Sequence, residues 1–323
     1  MIDKELVEAC YQAILGRSPD NDTVVGDKIK WVSSPQALIR DFLESAEFQN
    51  RLPKRIAADY FREAARIDVD VSDEQIKALF GRLQKQWREI GGKDPFWSVY
   101  THDEYLTANI NDAALDRLYE TGAEHANLID LFCARNQIEI RRGVCVELGC
   151  GVGRVTKHLA KRFEKVIAVD ISEGNLSQCK TMAKYARLSN IECVLLQSPD
   201  QLSQLPEFDV FYSTIVLQHN PPPIQKCQLD ILLKKLRHGG GFLFQTQTYD
   251  QGYEFSIEEY LASDVETMDM HSLPMHEILG LIEKHGHSLR EVAADMWTGR
   301  YGSHTFFGTA HPRKRGLLSW ISN

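Results

Sequence analysis

Glu147 and the three glycines that follow it are spaced so that they could hold a small cationic ligand. The segment 144–156 reads VCVELGCGVGRVT, an apolar run that ends in glycines and continues into a helical pattern. Gly149, Gly151 and Gly153 come at every second position, which lets the backbone turn sharply and lets a ligand approach without obstruction by Cβ atoms. A carboxylate at Glu147 would repel a pyrophosphate but suits a cation. The pattern therefore predicts a strand, a turn and a helix around a nucleotide-like ligand that carries positive charge.

A second acid, Asp170, ends the next apolar run about 20 residues further on, where a carboxylate can accept hydrogen bonds from ribose hydroxyls. The dinucleotide fingerprint G-x-G-x-x-G does not fit, because Arg154 stands where that motif has its third glycine. The E-x-G-x-G-x-G turn followed by this acid closely resembles the class I S-adenosylmethionine (SAM) methyltransferase family. The resemblance implies that SAM is the cofactor and that the chain transfers a methyl group.

The resemblance also implies which residues contact SAM. They come from the glycine turn, the second acid and its neighbour, the loop after the third strand and the end of the fourth: Glu147, Gly149, Cys150, Gly151, Gly153, Arg154, Asp170, Ile171, Ser198, Pro199 and Thr214. In several sugar-modifying members an aromatic segment and a Tyr-x-x-Gly turn cover the methionine end of SAM, and Trp97, Tyr119 and Gly122 match them. Such rings can hold a sulfonium by cation–π attraction, about 0.5–2 kcal/mol per contact. Packing at the domain seam is the alternative use of these residues.

Methyl transfer to a hydroxyl group requires alignment of acceptor and methyl group, and a base that removes a proton. His219, just past the fourth predicted strand, is the best-placed candidate for this base. His271, His304 and Asp250 lie in the other predicted acceptor loops and are the reserve candidates for the base. The chain has 11 histidines, so an ordinary surface or hydrogen-bonded role is the alternative for each.

The segment after His219 argues against methylation of a planar amine. Asn220-Pro221-Pro222 invites comparison with the Asn-Pro-Pro-aromatic motif of enzymes that act on such amines. Pro223 occupies the aromatic position, and the tripeptide lies beyond the strand end instead of on it. Methylation of a nucleobase amine is therefore disfavoured.

Strands alternate with helices from residue 144 onward, which predicts an α/β fold with a mostly parallel sheet. The predicted strands are 144–148, 166–169, 191–196, 208–217, the run that ends at 244, 289–292 and 305–309. The family resemblance adds a doubly wound, seven-stranded sheet of order 3-2-1-4-5-7-6 with a reversed last strand, preceded by an all-α N-terminal domain.

Four parts are predicted along the chain: a helical N-terminal domain or arm (1–92), a helical lead-in that covers the cofactor site (93–142), a Rossmann-like SAM-binding domain (143–312) and a basic and apolar tail (313–323). Gly16 predicts a helix end, Ser34 a helix start, and Ser72 with Gln75 a capping box. Two helices are expected to be separated near Gly122, and Gly91 and Gly92 to end an earlier one.

The segments YQAILGR (11–17) and ESAEF (44–48) resemble a small helical domain of unassigned function that is appended to bacterial glycan-modifying and surface-associated proteins. That resemblance implies recruitment or docking. The alternative is a helical cap that buries apolar surface of the partner domain. A homodimer through this region is left open.

The composition restricts the partners. A net charge of −8 argues against an electrostatically driven nucleic-acid binder. Seven cysteines without zinc-site spacing and the absence of a signal peptide predict a cytoplasmic protein, and no set of residues predicts a metal site. No apolar run approaches the ~18 residues that span a bilayer. The tail could touch an anionic membrane surface or dock on its own domain.

These patterns lead to one main hypothesis and two alternatives. The main hypothesis is SAM-dependent O-methylation of a carbohydrate, either a polysaccharide or a nucleotide-linked sugar, in bacterial surface glycan biosynthesis. The first alternative is a small-molecule or lipid-linked acceptor. The second is a non-catalytic SAM-binding or scaffold protein, which the presence of Glu147, the glycines and Asp170 disfavours.

Overall fold

A computed structural model describes residues 2–45, 47–48, 66–263, 268–299 and 302–310. The chain divides into two compact units, Met1–Ala64 and Ala65–Asn323. The predicted tail 313–323 lies outside the described residues.

The first unit contains three described helices, α1 (Lys4–Leu15), α2 (Asp22–Trp31) and α3 (Pro35–Glu44). The predicted end of α1 is confirmed, because Gly16 adopts a left-handed conformation with φ 59°. The predicted start of α3 is also confirmed, because the Ser34 hydroxyl accepts a hydrogen bond from the Ala37 amide at 3.1 Å. The helices pack around their own apolar cluster.

The second unit is built on a seven-stranded sheet. Its strands are β1 (Val144–Leu148), β2 (Lys165–Asp170), β3 (Ile191–Leu195), β4 (Phe208–Ser213), β5 (Leu236–Gln247), β6 (Ser288–Asp295) and β7 (Ser303–Thr309). Their order is β3-β2-β1-β4-β5-β7-β6, and β7 runs antiparallel to both of its neighbours. The predicted fold class and strand order are confirmed.

The helices of this unit cover the sheet. They are α4 (Asp73–Lys93), α5 (Pro95–Val99), α6 (Asp112–Asn136), α7 (Thr156–Leu159), α8 (Glu173–Tyr185), α9 (Gln201–Gln204), α10 (Pro222–Lys234), α11 (Ile257–Ala262) and α12 (Met275–Lys284), with 3₁₀ turns at Asp103–Tyr105 and Leu217–His219. None of the described helices combines the length and the apolar character required to cross a bilayer.

Helix α4 belongs with the sheet and not with the N-terminal helices. Its start is the predicted capping box of Ser72 and Gln75. The apolar side chains Leu79 and Leu83 then join the core that covers one face of the sheet. The predicted domain boundary at residue 92 therefore falls inside the second compact unit, and the division of the chain lies at residue 64.

The predicted break near Gly122 is wrong, because α6 runs unbroken from Asp112 to Asn136. A Cβ atom at Gly122 would overlap the carbonyl oxygen of Arg154. The glycine thus permits close packing of the helix on the turn after β1, and does not end a helix. Packing outweighs the weak helix propensity of glycine here.

Candidate active site

A cavity of about 660 Å³ opens at the carboxyl ends of the parallel strands. The strand order reverses between β1 and β4, and ligands of open α/β sheets bind where such a reversal leaves a crevice. The cavity wall includes residues after β1, β2 and β4, the segment 98–101 and the pair Trp297 and Thr298.

The glycine turn forms the floor of this cavity. Gly149, Gly151 and Gly153 have φ values of 73°, 55° and 86°, which side chains rarely allow. A Cβ atom at Gly149 would overlap Val216, and one at Gly151 would lie 2.6 Å from Val99. The first two glycines line the cavity, whereas Gly153 packs against α8 outside its wall.

Glu147 lies buried beside the turn, with 3% of its surface exposed. One carboxylate oxygen accepts a hydrogen bond from the Thr156 hydroxyl at 2.6 Å. Burial raises the pKa of Glu147 to about 8. The side chain lines the cavity, so a cationic group of a ligand would favour its ionised form.

Arg154 brings a buried positive charge to the same end of the cavity. Its guanidinium donates to the Thr121 hydroxyl at 3.2 Å, and its Nε has no hydrogen-bond partner among the described residues. Burial lowers the pKa of Arg154. A ligand with both an ammonium and a carboxylate group, such as the methionine end of SAM, fits the pair Glu147 and Arg154.

Asp170 is placed where a ribose would need an acceptor. Its two carboxylate oxygens accept from the backbone amides of Gly151 at 2.7 Å and Ser172 at 2.8 Å. Burial raises its pKa to about 6, and these hydrogen bonds oppose the rise. Asp170 and its neighbour Ile171 line the cavity, as does Cys150 of the glycine turn.

The chain leaves β4 through an unusual backbone conformation. Ile215 has φ 57°, a left-handed value that is rare for a β-branched residue. Its amide donates to the side-chain oxygen of Gln245 at 2.8 Å, which holds this turn in place. Thr214 and Ile215 both line the cavity. Such strain often accompanies a functional site.

Besides Gly153, five residues predicted to contact the cofactor lie outside the cavity wall. They are Trp97, Tyr119, Gly122, Ser198 and Pro199. The Tyr119 hydroxyl donates to the Val152 carbonyl at 3.1 Å, and Trp97 packs in the apolar cluster that contains Val152. Ser198 and Pro199 lead into the short helix α9. The neighbours of these residues, Ser98 to Thr101 and Leu196, line the cavity instead.

His219 is the candidate base that the structure places in the cavity wall. Its Nδ1 lies 3.1 Å from the carbonyl oxygen of Asp269, and its ring meets Trp87 edge-on with centroids 5.4 Å apart. Burial lowers the pKa of this imidazole. The side chain is therefore neutral at neutral pH.

The three reserve candidates lie outside the wall. His271 is 5% exposed and its Nδ1 is 2.9 Å from the Tyr253 hydroxyl, while burial lowers its pKa to about 4. His304 contacts the Thr248 hydroxyl through Nδ1 at 2.8 Å. Asp250 follows β5, and its carbonyl oxygen accepts from the Tyr253 amide. None of them lines the cavity with His219, although the His271 amide donates to the Gln218 carbonyl at 2.6 Å, next to the candidate base.

Several lining residues were not predicted from the sequence. They are aromatic, amide or sulfur-containing side chains from separate elements: Trp87, Asn175, Gln218, Gln228, Met268, Met270 and Trp297. Gln218 was adjacent to a predicted residue, and proximity to His219 was the one available signal. Within the described ranges, no group of three or more His, Cys, Asp or Glu side chains is arranged to hold a metal ion.

Comparison with known proteins agrees with this geometry. Residues 145–240 match the family described as a methyltransferase domain. Over 175 residues the chain is 23% identical to a phosphoethanolamine N-methyltransferase of Triticum aestivum, covering 54% of this chain and 33% of that protein. Over 103 residues it is 30% identical to a ubiquinone biosynthesis O-methyltransferase of Idiomarina loihiensis, covering 31% and 41%. The chain thus spans less than half the length of these curated relatives.

A solved structure shares the fold. The magnesium protoporphyrin IX methyltransferase of Synechocystis PCC 6803, with bound S-adenosylhomocysteine (SAH), superposes with a TM-score of 0.50 at 15% identity, covering 72% of this chain and 99% of that one. Residues 145–240 therefore match a methyltransferase domain, and the strand order and the glycine turn beside Glu147 and Asp170 agree with the fold of class I SAM-dependent methyltransferases.

Proposed function

We propose that this protein transfers a methyl group from SAM to a hydroxyl group of a carbohydrate. The observation that supports this best is a single cavity that joins Glu147 and Arg154 at one end to His219 after β4. SAM supplies an electrophilic methyl group on a sulfonium. The protein has to hold the donor, align the acceptor and remove a proton.

Residues near β1 and β2 would hold the donor. The Glu147 carboxylate would pair with the amino group of the methionine end, and the Arg154 guanidinium with its carboxylate. Asp170 would accept from ribose hydroxyls through the lone-pair capacity not engaged by the backbone amides of Gly151, Ile171 and Ser172. The positive φ values of Gly149 and Gly151 let the turn line the cavity, and their missing Cβ atoms make room for Val216 and Val99.

His219 would accept the proton of the acceptor hydroxyl. Its Nδ1 donates to the Asp269 carbonyl, which assigns the lone pair to Nε2. The lowered pKa of the imidazole keeps that lone pair available at neutral pH. The edge contact with Trp87 limits rotation of the ring.

A neutral, hydrogen-bonding acceptor fits the remainder of the wall. Among the described lining residues, the charged side chains are those at the donor end, Glu147, Arg154 and Asp170. The other lining residues include amides and hydroxyls, with Trp87 of α4 and Trp297 after β6 as apolar surfaces. A phosphorylated amine would leave its charges without partners there. The acidic groups and phosphates of larger acceptors would have to remain outside the cavity.

Transfer of labelled methyl groups tests the proposal. Purified protein with methyl-labelled SAM is incubated with the glycan, lipid and small-molecule fractions of its host. The expected product is a methyl ether on a sugar, stable to mild alkali and identified by mass spectrometry after hydrolysis. Label found in the lipid or small-molecule fraction alone would overturn the carbohydrate assignment and favour the other acceptor classes.

We also assign the reaction to the cytoplasm. The assignment is supported by the cysteines of the described residues, which are all free thiols, as expected in a reducing compartment. Fractionation of host cells, with a periplasmic and a cytoplasmic marker enzyme as controls, tests it. Recovery with the periplasmic marker would contradict it.

A further inference from the structure

Two glutamine side chains at the cavity wall are buried without full hydrogen bonding. Gln218 is 0% exposed, and neither its amide nitrogen nor its amide oxygen has a partner among the described residues. Gln228 is 3% exposed, and its amide oxygen has no partner either. Because an unpaired buried amide is costly, its presence at a cavity wall requires an explanation.

Other buried glutamines of this unit are fully paired. Gln225 donates to the Asn220 carbonyl at 2.8 Å and accepts from the Thr246 hydroxyl at 2.8 Å. Gln245 accepts from the Ile215 amide and donates to the Ser303 hydroxyl at 2.7 Å. Among the described buried glutamines, those with unpaired amide atoms are therefore the two at the cavity wall.

The hydrogen bonds of Asn220 show which atom of the Gln228 amide has no partner. The side-chain nitrogen of Asn220 donates to the Val216 carbonyl at 2.9 Å, so the Asn220 side-chain oxygen is left as an acceptor. Gln228 presents its amide nitrogen to that oxygen at 3.5 Å. Its own oxygen thus remains available to a donor.

Both glutamines follow β4 in the chain, whereas the proposed donor-binding residues follow β1 and β2. Gln218 is in the 3₁₀ turn Leu217–His219 that follows β4, and Gln228 is on α10. The glycine turn and Asp170 follow β1 and β2, which lie on the other side of the strand-order reversal. Gln218 also directly precedes the proposed base.

We propose that Gln218 and Gln228 form an acceptor subsite that binds a neutral group with adjacent hydroxyls, such as a sugar ring. The subsite rests on the proposed function, since it presumes that the acceptor occupies this half of the cavity. The two amide oxygens and the one amide nitrogen require a ligand that donates at least two hydrogen bonds and accepts one. Adjacent hydroxyls satisfy this demand, whereas a carboxylate, a phosphate dianion or a quaternary ammonium group has no hydrogen to donate.

The melting temperature of the free, full-length protein gives the first test. Gln218→Met removes an unpaired amide at nearly constant volume, so the variant is expected to melt at the wild-type temperature or above it. Gln225→Met is the matched control, which leaves Thr246 and the Asn220 carbonyl unpaired and is expected to melt about 2–4 °C lower per lost hydrogen bond. Equal losses in both variants would show that the Gln218 amide stabilises the fold and would overturn the subsite.

Binding of simple sugars gives the second test. A panel of methyl glycosides and N-acetylhexosamines is titrated against the SAH complex and followed by saturation-transfer NMR. We expect binding to the wild type and at least fivefold weaker binding to Gln218→Met and Gln228→Met, while SAH affinity stays within twofold. Sugar binding that is unchanged in both variants would mean that the amides form hydrogen bonds with water and not with the sugar, and would overturn the subsite.

Two further outcomes separate the subsite from the proposed function. Loss of SAH affinity in Gln218→Met would mean that the amide belongs to the donor-binding site. Failure of every sugar to bind the wild-type complex would exclude sugars as the ligand class. Either outcome overturns the inference. If sugars bind through the glutamines while the methyl label goes to a different acceptor, the subsite stands and the proposed reaction fails. If glycans are methylated equally by wild type and Gln218→Met, the reaction stands and the subsite fails.

Discussion

Burial has opposite effects on the two side chains that would take part most directly. It raises the pKa of Glu147 to about 8 and lowers the pKa of the His219 imidazole. In both cases the neutral form is favoured, because a low-dielectric site disfavours charge. For the imidazole, this neutral form is the one that can act as a base. The Glu147 carboxyl, in contrast, has to lose its proton when a cationic ligand binds.

Donor binding should therefore be linked to the ionisation of Glu147. Below its pKa of about 8 the carboxyl is protonated in the free protein, so affinity for SAH should rise with pH by up to tenfold per unit and level off above pH 8. At pH 7 binding should release a proton, measured by calorimetry in two buffers of different ionisation enthalpy. Glu147→Gln should bind more weakly at pH 8 and lose the rise in affinity between pH 7 and 8, while a dependence from Asp170 near pH 6 remains. An equally steep dependence in the variant would contradict this prediction.

His219 should control the acid side of the rate profile. Turnover should fall as pH decreases through a pKa below the ordinary value of 6.5, because protonation removes the Nε2 lone pair, and should be constant above it. His219→Ala should lower kcat about 10²–10⁴-fold while SAH affinity changes little. His276→Ala, at a largely exposed position, is the control and should keep wild-type turnover. Full turnover by His219→Ala would remove the assignment.

At the scale of elements, glycines allow the helices around the cavity to pack closely against neighbouring backbone. Helix α6 passes the Arg154 carbonyl at Gly122, and a Cβ atom on Gly174 of α8 would overlap the Gly91 carbonyl of α4. These contacts bring α4, α6 and α8 close to the loops after β1 and β2. A substitution at either contact should thus displace both the helix and the loop that it packs against.

A pair of glycine substitutions tests this close packing. Gly280→Ala, on α12 with no atom within 4 Å of the added Cβ, should stabilise the protein by about 0.5–1 kcal/mol. Gly122→Ala should destabilise it by about 1–3 kcal/mol, because overlap with the Arg154 carbonyl outweighs the gain in helix propensity. It should also weaken SAH binding. Urea unfolding and SAH titration of both variants check these expectations, and stabilisation by Gly122→Ala would show that the contact relaxes freely.

At the scale of the whole molecule, the cavity wall comes from one compact unit. Every described lining residue falls between Leu83 and Thr298, within the unit that begins at residue 65. The first unit has a separate core, in which Tyr11 and Phe42 meet edge-on at 4.7 Å. Its role in recruitment or docking stays a prediction.

Removal of the first unit should therefore spare donor binding. A chain that begins at residue 66 should fold and bind SAH within about twofold of the full-length protein, measured by calorimetry at one pH. Methylation of glycan fractions by the two chains then shows whether the first unit contributes to acceptor use. A large loss of SAH affinity in a folded truncated chain would mean that residues 1–65 support the donor site.

The sequence predictions were accurate where the residues of a site are close together in the chain, and less accurate where helix packing brings distant residues together. The glycine turn, Glu147 and Asp170 lie within about one strand–helix–strand unit, where spacing along the chain determines position in space. Trp97 and Tyr119 were expected at the cofactor because of a family resemblance, with packing at the domain seam as the alternative. In the structure Trp97 is partly buried against an apolar cluster, and the Tyr119 hydroxyl donates to the Val152 carbonyl. Their register relative to the cavity depends on how α5 and α6 pack, and residue type alone does not encode it.

The sequence by itself determined the α/β fold class and the donor-type turn, because these depend on local periodicity, on glycine conformations and on a motif that is contiguous in the chain. The strand order was predicted from the family resemblance that this motif carries. The tertiary structure alone decided that His271 and His304 lie outside the cavity wall, that Gly122 is a packing contact, and that the amide atoms of Gln218 and the amide oxygen of Gln228 are buried without partners. Burial and pairing are properties of side chains that come together from distant segments, and they exist only once the helices have packed on the sheet.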